Sequence, residues 1–368
     1  MAANRNTGPG FDWLRIGLSI LVILLHSFHT AYGSSPYLAY NWSSPLWAFV
    51  LPAFFGLSGF LVTGSAIRTS DVRVFLWFRG LRIVPALAVE VTISALILGP
   101  LVTTVPLGAY FSDPMTLEYF GNVVGWVHYA LPGVFESNPR AGIVNQNLWT
   151  LHPELMCYAA MAACMIAGAV YSRRLMTLLW IVLTVLGGAY NLATGVLELS
   201  GTFPSEIFVY SFITGVVMYH WKDHIPLNRA IFVLSLVTGY IVLKIEGVTV
   251  FALPMVYYVM IYIGMTKFPR IKLLQSGDYS YGVYLYGYPI QQTIVFLLPD
   301  GQEWWTVFVL ASILSLMVAA ISWWCIEKPA LRLKNLVQGR PKPIPSMTEP
   351  PLEPDQKIPM ASPEPVKL

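Results

Sequence analysis

Charge is scarce in this sequence: of 368 residues only 11% are Asp, Glu, Lys or Arg, against 56% hydrophobic. A soluble domain carries roughly 25% charged residues, because its surface has to stay hydrated. So few charges cannot cover a water-facing surface of this size, which excludes an ordinary soluble globular protein. Cysteine is nearly absent too. Cys157, Cys164 and Cys325 all sit within apolar runs, and an odd number of such thiols is neither a disulfide framework nor a zinc pattern. They read as packing residues. A net charge of +3 with no basic stripe gives nucleic acid nothing to hold. No internal repeat is visible. The first apolar segment also lacks the profile of a signal peptide. Arg15 interrupts the part that should be uncharged, and only Arg5 precedes it. A retained helix is expected there.

Long apolar runs are what the chain does have. A helix needs about 20 such residues to cross hydrocarbon. Runs near 11–31, 46–66, 83–104, 147–170, 175–195, 204–221, 230–243, 248–265, 279–298 and 304–325 meet or approach that length. The expected fold is therefore all-α and polytopic, with about ten transmembrane helices. Lys and Arg collect on the cytoplasmic side of such proteins. Arg68, Arg73, Arg79 and Arg82 follow the second run, and Arg173 and Arg174 the fourth. Lys222 and Arg229 follow the sixth, and Lys267, Arg270 and Lys272 the eighth. Lys328, Arg332, Lys334 and Arg340 follow the tenth, while the opposite connections hold only Arg140 and Lys244. Both termini are thus expected inside. The connection from about 104 to 146 lies outside, its semi-apolar part from Leu117 to Leu131 being interfacial or re-entrant. Residues 1–335 form the membrane domain. Residues 336–368, rich in Pro, Glu, Lys and Ser, form a cytoplasmic tail too polar to order itself.

Ionisable residues are costly in lipid and stand out as functional candidates. Arg15 and His26 are eleven positions apart in the first helix. That spacing puts them on one face, ~16 Å apart along the axis. Arg15 is expected in the inner half and His26 in the outer half. The fourth run opens as Trp149-Thr150-Leu151-His152-Pro153-Glu154, which sets Glu154 at a depth comparable to His26. An imidazole with a carboxylate at one depth can act as a base and its orienter. The plainer alternatives are a packing histidine and a structural carboxylate. His29 and His152 read as interfacial. Gln291 and Gln292, with Trp149, are candidates for holding a polar substrate in the outer half. Arg79 and Arg82 share a helix face at i, i+3. They are expected to open the third helix as paired forks suited to phosphate, or else as topology anchors. Glu90, deeper in that helix, is a candidate partner for Arg15.

The Arg15–His26 pair introduces a family resemblance. Phe54-Phe55-Gly56-Leu57-Ser58-Gly59-Phe60-Leu61 resembles the second-helix signature of the membrane-bound acyltransferase-3 family. Arg79-Gly80-Leu81-Arg82-Ile83-Val84-Pro85 matches its R-x-x-R-I-x-P element, and Leu148 to Glu154 is similar to its L-W-[ST]-L-x-x-E motif. Tyr279 to Tyr286 and Ile326-Glu327-Lys328-Pro329 resemble its two late motifs. Where many members carry His-x-Pro, this chain reads Gly287-Tyr288-Pro289. The resemblance implies transfer of an acyl group, most often acetyl, from cytoplasmic acyl-CoA to a hydroxyl of an extracytoplasmic saccharide or glycolipid. It implies no metal, and a multi-pass location in the inner membrane. His26, Glu154 and Arg15 become the expected catalytic residues, with Arg79 and Arg82 on the CoA phosphates. A transporter or flippase of a glycan precursor is the alternative, since intramembrane charges also mark transport paths. It predicts matching inverted halves, and none are visible. An intramembrane serine protease, read from Gly56-Leu57-Ser58-Gly59, leaves the arginines and Glu154 without a role.

Overall fold

The computed structural model describes residues 10–33, 44–194, 204–245, 248–269, 276–299 and 303–337. It is all-helical; among the described residues the only sheet-like feature is an isolated bridge between Thr103 and Val134. Each apolar run of the sequence coincides with a helix: α1 (Gly10–Tyr32), α2 (Ser44–Thr69), α3 (Val72–Val102), α4 (Leu151–Ile166), α5 (Arg173–Thr194), α6 (Ser205–Trp221), α7 (Arg229–Val242), α8 (Leu253–Met265), α9 (Ser280–Leu297) and α10 (Trp304–Arg332). Five of them, α1, α2, α3, α5 and α10, are long and apolar enough to cross a membrane by length and composition. The tail from residue 338 onward, Arg270 and Lys272 lie outside the described residues.

Helix α3 starts well before its apolar run. The Asp71 side chain caps it, accepting from the backbone N–H of Arg73 at 2.7 Å and of Val74 at 3.3 Å. Arg79 and Arg82 are therefore two to three turns inside a continuous helix and do not open it. Hydropathy registers where lipid begins, whereas the cap registers where the helix begins, and here the two differ by more than two turns.

Two helices contain π-type turns, Ser94–Leu98 in α3 and Trp323–Glu327 in α10. Such turns release a backbone carbonyl and re-aim side chains, and they recur at functional sites. The first is hooked from outside the bundle, where the Tyr110 hydroxyl donates to the Ala95 carbonyl at 2.8 Å. Burial pushes the Tyr110 phenol up to about 12, so it remains a donor at any physiological pH. A side chain at Gly99 would collide with that hydroxyl. The second π-turn carries Glu327 into the bundle.

The second-helix signature acts as a packing surface. Helices α2 and α6 form the most extensive helix pair. A Cβ on Gly59 would strike the Phe212 carbonyl, and one on Gly215 would strike the Gly56 carbonyl. Small residues let backbones approach this closely in lipid, where packing and not water drives association.

The connection between α3 and α4 is folded, with short helices at Leu107–Ser112 and Pro114–Glu118 and a 3₁₀ turn at Tyr119–Val124. Tyr110, Tyr119, Val134, Phe135 and Val144 are fully buried in it. Three asparagines satisfy its backbone and tie it down. Asn122 bonds the Tyr119 and His128 carbonyls, Asn138 bonds the Gln292 carbonyl at 2.9 Å, and Asn145 bonds the Leu285 carbonyl at 3.0 Å. The segment is thus a cap plugged onto α3 and α9, ending in a 3₁₀ turn at Gln146–Thr150 that leads into α4.

Candidate active site

Helices α1, α2, α3, α4 and α9 enclose a cavity of about 160 Å³. Its apolar wall comes from α2, with Leu51, Phe54, Phe55 and Leu57. Its polar wall is built from Arg15, Arg82, Glu154, Tyr158, Asp278 and Tyr281. Ser58, Thr150, Asn147 and Tyr284 complete the lining. Four of the five sequence motifs reach this one space, and the fifth touches it through Arg82.

Arg82 is the hub of the polar wall. One nitrogen, Nη2, lies 2.9 Å from Asp278 and the other, Nη1, lies 2.5 Å from Glu327. Its guanidinium stacks over the Tyr281 ring at 5.3 Å and the Trp323 ring at 5.8 Å. The same Asp278 oxygen also pairs with Arg15. Glu327 is buried, and its other oxygen accepts from Ser322 at 3.3 Å. The expected free phosphate fork at Arg82 is thus occupied by two carboxylates. Arg79 differs. It lies beside Phe75 and Tyr158, and its Nε is buried without a hydrogen-bond partner.

Glu154 sits at the arginine level, away from His26. Its Oε1 accepts from the Tyr158 hydroxyl at 2.7 Å, and Arg82 and Arg79 are its neighbouring charges. The contacts along α9 show why. Tyr284 meets Thr150 at 2.9 Å just ahead of α4, whereas His26 packs against Tyr288, one turn further along α9. Because α4 begins at the level of Tyr284 and runs toward Asp278, Glu154 lies deeper than the outer boundary assumed from hydropathy. The plug formed by Asn145 to Thr150 already occupies that outer depth. No ion pair joins His26 to Glu154 among the described residues. Glu90 does not meet Arg15 either. It is buried, and it accepts from Ser94 at 3.0 Å and Asn145 at 2.9 Å.

His26 is buried in a cluster of rings. Trp47 and Tyr288 contact it edge-on, each at 5.2 Å, and His29 lies 6.1 Å away. His29 in turn stacks on Trp47 at 4.8 Å. Two polar atoms of this cluster, His26 Nδ1 and Trp47 Nε1, are buried without a hydrogen-bond partner. Such an orphan costs about 1–3 kcal/mol and calls for an explanation. Of the expected substrate-holding residues, Gln291 donates to the Ile23 carbonyl and to Ser27, each at 2.7 Å. Gln292 donates to the carbonyls of Arg140 and Ile143. Both amides are buried and lock α9 to α1 and to the cap. Trp149 packs against Phe208. His152 is exposed.

Sequence reasoning missed Asp278, Tyr158, Tyr281 and Trp47. Asp278 stands where a helix-capping carboxylate is ordinary, two residues ahead of α9, so nothing in the sequence marks it as a partner of two arginines. Among the described residues no group of three or more His, Cys, Asp or Glu is placed to hold a metal.

An all-helical bundle with several membrane-length apolar helices around a buried arginine–carboxylate network is the architecture of a multi-pass membrane protein with an internal polar cavity. The acyltransferase-3 family model, described as an acyltransferase domain, matches residues 9–324, and the chain belongs to that family. It is an acyltransferase for groups other than aminoacyl. It is similar to an O-acetyl transferase of Shigella phage Sf6, at 25% identity over 86% of this chain and 94% of that protein. It is also similar to nodulation protein 10 of Rhizobium leguminosarum bv. viciae, at 26% identity over 90% of this chain and 95% of that protein. No solved structure matches the chain.

Proposed function

We propose that this protein is an O-acyltransferase that moves an acyl group, acetyl in the first instance, from cytoplasmic acyl-CoA to a hydroxyl of an extracytoplasmic saccharide or glycolipid. All ten helices cross the inner membrane in this reading, with both termini inside and the cap outside. One observation carries it. The motif segments converge on a cavity bordered by Arg15, and the same helix leads ~16 Å outward to His26, whose Nδ1 is buried without a partner.

The donor's chemistry fits the residues present. Its phosphates would meet Arg79, whose Nε has no other partner. The narrow cavity suits a linear pantetheine arm, with Glu154 and Asn147 on its wall as partners for the arm's amides. The acceptor would enter at the ring cluster, where Trp47 Nε1 has a bond to donate. Attack of the acceptor oxygen on the thioester carbonyl forms the ester and breaks the C–S bond. His26 takes the hydroxyl proton as that bond forms, and the proton ends on the departing thiol. Charge and protons balance with no further reactant. The test is acyl transfer from labelled acetyl-CoA to extracted surface glycan by the purified protein in proteoliposomes. Absence of transfer would refute the reading.

The orientation has its own expected outcome. A cysteine placed at the exposed Ser137 of the cap should react with an impermeant reagent added outside intact cells. One placed at Ser346, which lies outside the described residues, should not. Labelling of the tail from outside would invert the sidedness and remove acyl-CoA as donor. Donor binding gives another. Arg79→Ala should weaken acetyl-CoA affinity by about tenfold or more, since a charge-assisted bond contributes about 1.5–3 kcal/mol. Wild-type affinity in that variant would reduce Arg79 to a topology anchor.

A further inference from the structure

We propose that Asp278 is a positioning residue of this active site, holding the guanidinium of Arg15 against the Arg82–Glu327 pair at the mouth of the cavity so that Arg15 faces the phosphates of the acyl donor. The proposal rests on acyl-CoA being that donor. Asp278 Oδ2 accepts from Arg15 and pairs with Arg82 Nη2 at 2.9 Å. Its Oδ1 accepts from the Ser280 hydroxyl at 2.7 Å. The Ser280 carbonyl in turn accepts from Ser19 on α1 at 3.0 Å. The carboxylate is therefore set by the start of α9 and by a second tie to α1.

Without Asp278, Arg15 and Arg82 would repel each other across a partly desolvated gap, and each would swing toward water or toward another carboxylate. With it, two cations from α1 and α3 are held by a single oxygen. Glu327 secures Arg82 from the far side at 2.5 Å and is itself buried. Asp278 and Arg15 are the more exposed members, with 24% and 31% of their side chains accessible, so this edge of the network is the one a soluble donor reaches.

A second feature places the pair on a path. A small cavity of about 20 Å³ adjoins the main one, lined by Asp12, Ile16 and Gly277 among others. Arg15, Asp278 and Ser280 line both. The Arg15–Asp278 ion pair is thus the partition between the two cavities. A donor arm that reaches the main cavity from this side runs along the Arg15–Asp278 edge.

The test compares two ligands that share the acetyl-pantetheine arm, acetyl-CoA, which carries the phosphates and adenosine, and S-acetylpantetheine, which carries neither, titrated into the purified full-length protein in detergent. Asp278→Asn should weaken acetyl-CoA binding by about tenfold, the scale of a lost charge-assisted contact, and leave S-acetylpantetheine binding unchanged. Asp278→Glu should restore most of the difference. A purely structural ion pair predicts that both ligands weaken together and that Asp278→Glu rescues neither selectively; that result overturns the proposal. Equal acetyl-CoA affinity in wild type and Asp278→Asn overturns it as well, while leaving the donor assignment standing. Failure of the wild-type protein to bind acetyl-CoA removes the donor assignment and the role of Asp278 together. Should Asp278→Asn not accumulate in folded form, Ser280→Ala releases only Oδ1 and is titrated in the same way. It should weaken acetyl-CoA about threefold, less than Asp278→Asn because the carboxylate keeps both arginines, with S-acetylpantetheine unaffected. No change in either ligand refutes the proposal.

Discussion

His26→Ala should abolish glycan acylation while leaving acetyl-CoA binding close to wild type. Loss of a general base typically lowers the rate by about 10²–10⁴-fold, and His26 has no part in the arginine network proposed to meet the donor. Its ring instead sits among Trp47, Tyr288 and His29, with Nδ1 buried and unpartnered. The substitution removes that orphan but leaves a cavity among the rings, so a modest loss of stability is expected. The decisive measurement pairs turnover in proteoliposomes with equilibrium binding of acetyl-CoA and a melting curve in detergent. Near wild-type turnover would exclude His26 as the base, whatever the standing of the family assignment. Glu154→Gln should behave differently. Glu154 lies beside Tyr158 and the arginines, so its loss is expected to act on the donor side and not on the pH dependence of His26.

Arg82→Ala should be the most destabilising single change in the active site. Removing one partner of a buried ion pair costs about 3–5 kcal/mol, because the other charge is left without compensation. Here Glu327 would be stranded with Ser322 as its remaining partner, and Asp278 would keep only Arg15 and Ser280. The contact over Tyr281 and Trp323 would go as well. Arg82→Lys should recover little, since a single ammonium cannot fork between two carboxylates as a guanidinium does. A thermal melt of the purified variants checks this. If Arg82→Ala melted with the wild type yet failed to bind acetyl-CoA, Arg82 would be a donor ligand and not the hub.

Much of the architecture was legible because lipid imposes a simple demand. Backbone groups in hydrocarbon must bond within their own segment, so each apolar run had to become a helix, and each did. Helix ends were less legible. Asp71 begins α3 in a polar stretch that hydropathy assigns to a loop, and this moved Arg79 and Arg82 inside the helix. The cap was read as interfacial from Leu117 to Leu131. Its burial, and the asparagines that seat it on α9, depend on contacts from positions far away in the chain.

The site divided in the same way. Arg82 was expected at the inner face and Glu154 at the depth of His26, whereas one cavity is lined by Arg15, Arg82 and Glu154 together. Pairing was another matter. Depth counted from the ends of apolar runs pairs Glu90 with Arg15 and Glu154 with His26, and the structure pairs neither. Depth along one helix says nothing of the direction in which a side chain points on its neighbour, and the plug before α4 shifted Glu154 inward. Gln291 and Gln292 had the right depth for a substrate, yet their amides close on backbone carbonyls of α1 and the cap.

Composition and motif order alone mark a helical membrane protein of the acyltransferase-3 family, because eleven per cent charge cannot hydrate a water-facing surface. The pairing of Asp278 with Arg15 and Arg82, the hold of Glu327 on Arg82 from α10 and the setting of His26 among rings came from the packed fold. The reason is physical. Hydropathy and period place a residue along its own helix, but an ion pair in lipid forms between helices, and its partners are chosen by how those helices are rotated and staggered against one another.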